Sequence, residues 1–108
     1  MKIENTKAQM RKGVLEFCIL QLLKQEEMYP SDIISALKES KLIVVEGTLY
    51  PLLTRLKNAG ILDYRWEESK TGPPRKYYKL TELGEKFLIE LRETWTELNN
   101  AVNRTIRK

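Results

Sequence analysis

Leu88, Leu91, Trp95, Leu98 and Val102 are spaced 3, 4, 3 and 4 residues apart, and Ile106 lies one further turn on. That spacing is the seam of a coiled-coil helix, and the intervening positions, such as Glu90, Glu93, Asn99 and Asn103, are nearly all polar. A helix over about 81–107 would extend roughly 40 Å at 1.5 Å per residue. A chain of 108 residues builds a core smaller than that. The seam therefore needs a second surface. Self-association is the economical answer, with the first helix contributing; packing back on that helix is the alternative. The expectation is a homodimer held through Leu88, Leu91, Trp95, Leu98 and Val102.

The residues before this helix divide into four elements. From Met10 to Gln25, Val14, Phe17, Cys18 and Leu22 fit one helical face, and Leu15, Ile19, Leu20 and Leu23 widen it, as in a central helix. Pro30 or Ser31 opens a short second helix over about 31–40, with Ile33, Ile34 and Leu37 on one side. An extended piece at 42–45 leads to a third helix over about 46–59. There Leu49, Leu52, Leu53 and Leu56 fall at i, i+3, i+4 and i+7, and Gly60 supplies the stop. Pro51 sits awkwardly within it, since proline removes a helical hydrogen bond.

Leu62, Tyr64 and Trp66 then alternate with Asp63, Arg65 and Glu67, the pattern of a half-buried strand. SKTGPP, residues 69–74, reads as a link of about six residues to a second strand, RKYYKL, and Thr81 is a fitting N-cap for the last helix.

Charge follows the same division. Residues 1–80 carry 14 Lys and Arg against 10 Asp and Glu, whereas residues 81–108 carry 5 of each, so the whole net charge of +4 belongs to the first part. Lys70, Arg75, Lys76 and Lys79 cluster with no acid among them. A local basic surplus of this kind suits a polyanionic partner.

Absences exclude other chemistry. The chain has no histidine, hence no Ser-His-Asp or Cys-His catalysis and no histidine-containing zinc site. Its single cysteine, Cys18, lies in FCIL and reads as a core residue. No phosphate loop, secretory leader or membrane-length apolar run is present, so no catalytic residue, metal or cofactor is assigned, and the cytoplasm is the expected location.

Three helices, a hairpin and a final helix are the plan of a mainly α chain with one β-hairpin: a winged helix-turn-helix module over 1–80 and a C-terminal dimerisation helix over 81–108. In that plan the basic hairpin is the wing. Its cations would neutralise phosphates of duplex DNA, while the polar face of the third helix meets base edges in the major groove. The alternative is a winged-helix protein-interaction adaptor without DNA binding; the retained basic residues argue against it.

The blocks KGVLEFCILQLLKQEEMYPSDII, EGTLYPLLTRLKNAGIL and GPPRKYYKLTELG resemble successive signatures of the PadR family of bacterial transcriptional regulators, over about residues 12–88. The compact segment that follows resembles the subgroup with a short C-terminal helix. The resemblance implies a homodimeric repressor on a near-palindromic operator, acting on its own or an adjacent operon, often one for efflux or stress. It assigns Thr48, Tyr50, Pro51, Thr54 and Arg55 to the recognition helix and Arg75, Lys76 and Tyr77 to the wing, beside Lys70.

Two departures stand out. Pro30-Ser31 replaces the family's usual Gly-Tyr before the helix-2 acid, so Ser31 takes the expected phosphate contact through its hydroxyl or a helix N-terminal N–H. Pro73-Pro74 stands where wings often carry Gly-Gly or Gly-Arg. Trp95 has two readings: seam packing, or, as the resemblance implies, the wall of an inter-protomer pocket for planar hydrophobic effectors.

Overall fold

The structure, a computed structural model, describes residues 1–107. In chain order it contains α1 (Ile3–Gln25), α2 (Pro30–Glu39), α3 (Glu46–Asn58), β1 (Leu62–Ser69), β2 (Gly72–Leu80) and α4 (Glu82–Ile106). Helix α1 begins at Ile3 rather than Met10. Its first turns carry good helix formers, including Glu4, Lys7 and Ala8, but no apolar stripe that periodicity could detect.

The apolar spacings converge as expected. Leu15, Ile19, Leu20 and Leu23 of α1 meet Ile33 and Leu37 of α2 and Leu49, Leu53 and Leu56 of α3, with Ile61, Leu62, Tyr78 and Leu88 closing the core. Fully burying such side chains stabilises by about 1.5–3 kcal/mol each before entropy is counted. No polar or charged residue is buried among the described residues. Cys18 packs against this core, and burial raises its thiol pKa, which keeps the thiol protonated.

Two helix ends set the angles of the bundle. At the end of α3, Gly60 adopts φ +80°, and the N–H groups of Gly60 and Ile61 donate to Lys57 and Leu56, a Schellman close. The end of α2 closes the same way with Lys41 at φ 68°, where Leu42 N–H donates to Leu37 at 2.8 Å. Residues 42–45 form no strand. They run extended into Val45, the N-cap of α3, and Val44 plugs the core on the way.

The hairpin differs from expectation in its turn. Only Lys70 and Thr71 lie between the strands, and Gly72-Pro73-Pro74 belongs to β2. The register is regular from Leu62↔Leu80 to Glu67↔Arg75, then shifts before Ser69↔Gly72. Proline has no N–H for a ladder, so Pro73 and Pro74 are accommodated in that irregularity. A second anchor holds β2 to the bundle. Met28 and Tyr78 exchange backbone hydrogen bonds at 3.1 and 2.8 Å.

Thr81 caps α4, its hydroxyl accepting from Gly84 N–H at 2.9 Å and donating to Gly60 O at 2.6 Å. Helix α4 runs antiparallel to α1. Glu85 pairs with Lys24 at 3.1 Å, Arg92 Nε donates to Gln21 at 2.9 Å, and the Trp95 and Phe17 rings lie 6.3 Å apart. Leu88 is only 2% exposed and Leu91 packs against the core, so the first half of the seam is satisfied within one chain. This corrects the expectation that Leu88 lies between protomers. Trp95, Leu98, Val102 and Ile106 remain exposed at 42, 52, 47 and 70%. The Cα radius of gyration is 15.7 Å, against about 13 Å for a compact chain of this length. The projecting ends of α1 and α4 are consistent with that excess.

Gly84 is buried where α4 crosses the α3–β1 turn, and a Cβ there would overlap the Ile61 carbonyl oxygen. Because the obstacle is backbone, Gly84→Ala is expected to destabilise by about 1–3 kcal/mol. Urea unfolding followed by circular dichroism checks this, and an unchanged midpoint would show that the helix end can slide.

Candidate nucleic-acid interface

The N-terminus of α2, the polar face of α3 and the paired strands enclose one groove of about 490 Å³. Ser31, Tyr50, Thr54, Arg75 and Lys76 all line it, so five of the residues expected at the interface come together from three elements. Leu49 and Leu53 face the core, which turns Tyr50 and Thr54 outward. Ser31 is in the first turn of α2, where helix N–H groups lack intrahelical partners. Asp32 fixes that turn by accepting Tyr29 N–H at 3.1 Å.

Cations and rings alternate along the wing. Lys76 Nζ lies 4.6 Å from the Tyr64 ring centroid and 5.5 Å from that of Trp66. Arg75 lies 5.3 Å over Tyr29, and Arg65 lies 4.6 Å over Tyr77. Such contacts hold flexible cations in place without neutralising them. The nearby acids are engaged by Arg65, which reaches Glu27 at 3.3 Å and Glu67 at 3.2 Å. Arg75 and Lys76 form no ion pair among the described residues and keep their charge for the groove.

Other expected residues lie elsewhere. Thr48 and Pro51 line a separate cavity of about 550 Å³ against Arg11, Lys12 and Leu15 of α1. Arg55 forms an ion pair with Glu16 of α1. Lys70 is at the hairpin tip. Tyr77 does not line the groove; its ring lies 4.7 Å from that of Tyr29.

Sequence reasoning missed Tyr29 and Trp66 as groove residues. Trp66 shares its strand face with Tyr64 and Leu62, so it read as half-buried, yet it is 62% exposed. Alternation identifies the face of a strand but not where the body beneath it ends, and the hairpin outreaches the core. Tyr29 precedes a helix-opening proline and carried no signal beyond its aromatic character.

A three-helix bundle whose third helix is flanked by a basic two-stranded hairpin is a winged helix-turn-helix, and α4 is the long C-terminal helix attached to it. Residues 19–90 match the model of the transcriptional regulator PadR-like family, and the chain belongs to that family. It is 65% identical to a PadR-like transcription factor from Bacteroides fragilis of known structure, covering 94% of this chain and 98% of that one at a TM-score of 0.79. A PadR-like transcriptional regulator from Bacillus cereus is 37% identical, with coverages of 93% and 98% and a TM-score of 0.80. A PadR family regulator from Eggerthella lenta is 28% identical, with coverages of 98% and 93% and a TM-score of 0.89. The chain is accordingly a transcriptional regulator of the DNA-binding kind and not an enzyme.

Proposed function

We propose that the protein is a homodimeric repressor that binds a pseudo-palindromic operator controlling its own or an adjacent efflux or stress operon. Residues 1–80 form the DNA-reading module and 81–108 the dimerisation segment. The observation that carries this reading is the groove, where Ser31, Tyr50, Thr54, Arg75 and Lys76 converge from three elements. Arg75, Lys76 and Lys70 take phosphates, which gives affinity without sequence information. Tyr50 and Thr54 face the bases, with Thr48, Pro51 and Arg55 on the flank of the same helix. Engaging a base or phosphate with Arg55 would require its release from Glu16.

Selection of bound sequences from a random duplex pool, followed by footprinting, tests the reading. The expected footprint is twofold symmetric, with half-sites about one helical turn apart. Thr54→Ala should change which bases are preferred while leaving the salt dependence alone. Failure to retain any duplex at physiological salt would support the adaptor reading instead.

Trp95, 42% exposed and beside Phe17, suits an inter-protomer pocket for planar hydrophobic effectors. Titrating the same preparation with planar aromatic compounds should quench fluorescence in Trp66→Phe but not in Trp95→Phe. Quenching that survives Trp95→Phe would place the ligand elsewhere. An effector alters operator occupancy only if it prefers the free or the bound form.

A further inference from the structure

We infer that Tyr29 is a positioning residue for the DNA interface: its ring holds the Arg75 guanidinium at the groove and thereby couples the wing to the N-terminus of α2. The inference rests on the DNA-binding reading above and assigns a role to a residue that reading does not use.

Four side chains form one stack. Arg65 lies 4.6 Å over Tyr77, Tyr77 lies 4.7 Å from Tyr29, and Arg75 lies 5.3 Å over Tyr29. The outer members are cations and the inner members are rings. Arg65 and Arg75 come from opposite strands of the wing, Tyr77 from β2, and Tyr29 from the segment joining α1 to α2. Tyr29 is thus the one member that belongs to the helical body.

Its own position is fixed on both sides. The preceding residue, Met28, is hydrogen-bonded to Tyr78 of β2 through both backbone groups, and Tyr29 N–H is held by Asp32 at 3.1 Å. Partial burial, followed by the neighbouring Glu67 carboxylate, raises the pKa of the Tyr29 phenol, so the ring is neutral at physiological pH.

Charge partition explains why a ring is needed. Glu67 is the cross-strand partner of Arg75, and an ion pair between them would neutralise the cation. Instead Arg65 takes Glu67 at 3.2 Å, together with Glu27 at 3.3 Å. Arg75 is left with an aromatic face that restrains it and does not cancel its charge. Restraint before binding lowers the side-chain entropy lost when a phosphate is engaged. Arg75 and Tyr29 both line the groove, so restraint and use occur in the same place.

The test is a double-mutant cycle on duplex affinity at fixed salt, using the full chain and a duplex recovered by selection. Tyr29→Ala is expected to weaken binding about three- to fivefold, the scale of one exposed cation–π contact. Arg75→Gln should cost clearly less in the Tyr29→Ala background than in the wild type, and Tyr29→Phe, which keeps the ring, should bind like the wild type. Losses that simply multiply, or a Phe variant as weak as the Ala variant, would overturn the inference while leaving DNA binding intact. A wild-type protein that binds no duplex would sink the functional reading and this inference with it. A readout without DNA stands beside the cycle. The Arg75 δ-methylene protons should show an upfield ring-current shift in the free protein, absent in Tyr29→Ala and kept in Tyr29→Phe. No such shift in the wild type would also overturn it.

Discussion

Replacing Lys70, Arg75 and Lys76 together by Gln is expected to weaken operator and random duplex alike, by about a hundredfold or more at low salt. Each phosphate contact contributes roughly 0.9 to the slope of log affinity against log salt. Six cations on the two wings of a dimer therefore make the slope shallower by about 5. The ranking of preferred sequences should change little, because these side chains belong to the wing and not to the recognition helix. Titrations at several salt concentrations read both quantities. A variant whose slope parallels the wild type would mean that the wing cations do not reach phosphates. Lys76 also lies over Tyr64 and Trp66, so thermal unfolding should accompany the titration. A fold loss would appear there as a lowered midpoint.

Leu98→Glu with Val102→Glu is expected to convert a dimer of about twice the 12.7 kDa chain mass into a monomer at micromolar concentration. Both residues lie on the part of α4 whose apolar stripe is uncovered, at 52 and 47% exposure. Placing two carboxylates on each protomer at such an interface adds desolvation and repulsion without a partner charge, an effect of several kcal/mol. Sedimentation checks the mass, and circular dichroism should show the bundle still folded, since neither residue belongs to the core. A wild-type protein that sediments as a well-behaved monomer would remove the dimer from the proposal. Leu91 is a poorer target than the original seam spacing suggests. It packs against the protomer's own core, so charging it would confuse unfolding with dissociation.

The sequence made the helical core legible because periodicity reports burial directly: Leu49, Leu53 and Leu56 occupy the stripe their spacing implied. Gly60 and Thr81 were equally readable, since each satisfies a backbone need with a residue type suited to it. The start of α1 was not, because its first turns have no buried face to leave a pattern. The hairpin turn was misjudged for a different reason. Gly-Pro-Pro is loop chemistry in isolation, yet β2 begins at Gly72 and the prolines sit where the register slips. Of the groove residues, Ser31, Tyr50, Thr54, Arg75 and Lys76 were singled out from the sequence. Their convergence depends on how far β1 and β2 extend beyond the core, which no local pattern encodes. Tyr29 was hidden because its partners, Tyr77 and Arg75, are far away in sequence.

Pro73 and Pro74 have a consequence for the behaviour of the protein at high concentration. A sheet of only two strands leaves the outer edges of both strands open, except where Met28 bridges β2 at Tyr78, and such edges can recruit strands from other molecules into aggregates. On β2 the segment farthest from the helical body carries two consecutive residues that cannot donate a hydrogen bond, followed by Arg75 and Lys76. An incoming strand would find neither a continuous row of donors nor an uncharged surface there. The wings of crowded molecules can therefore lie close together and still remain separate.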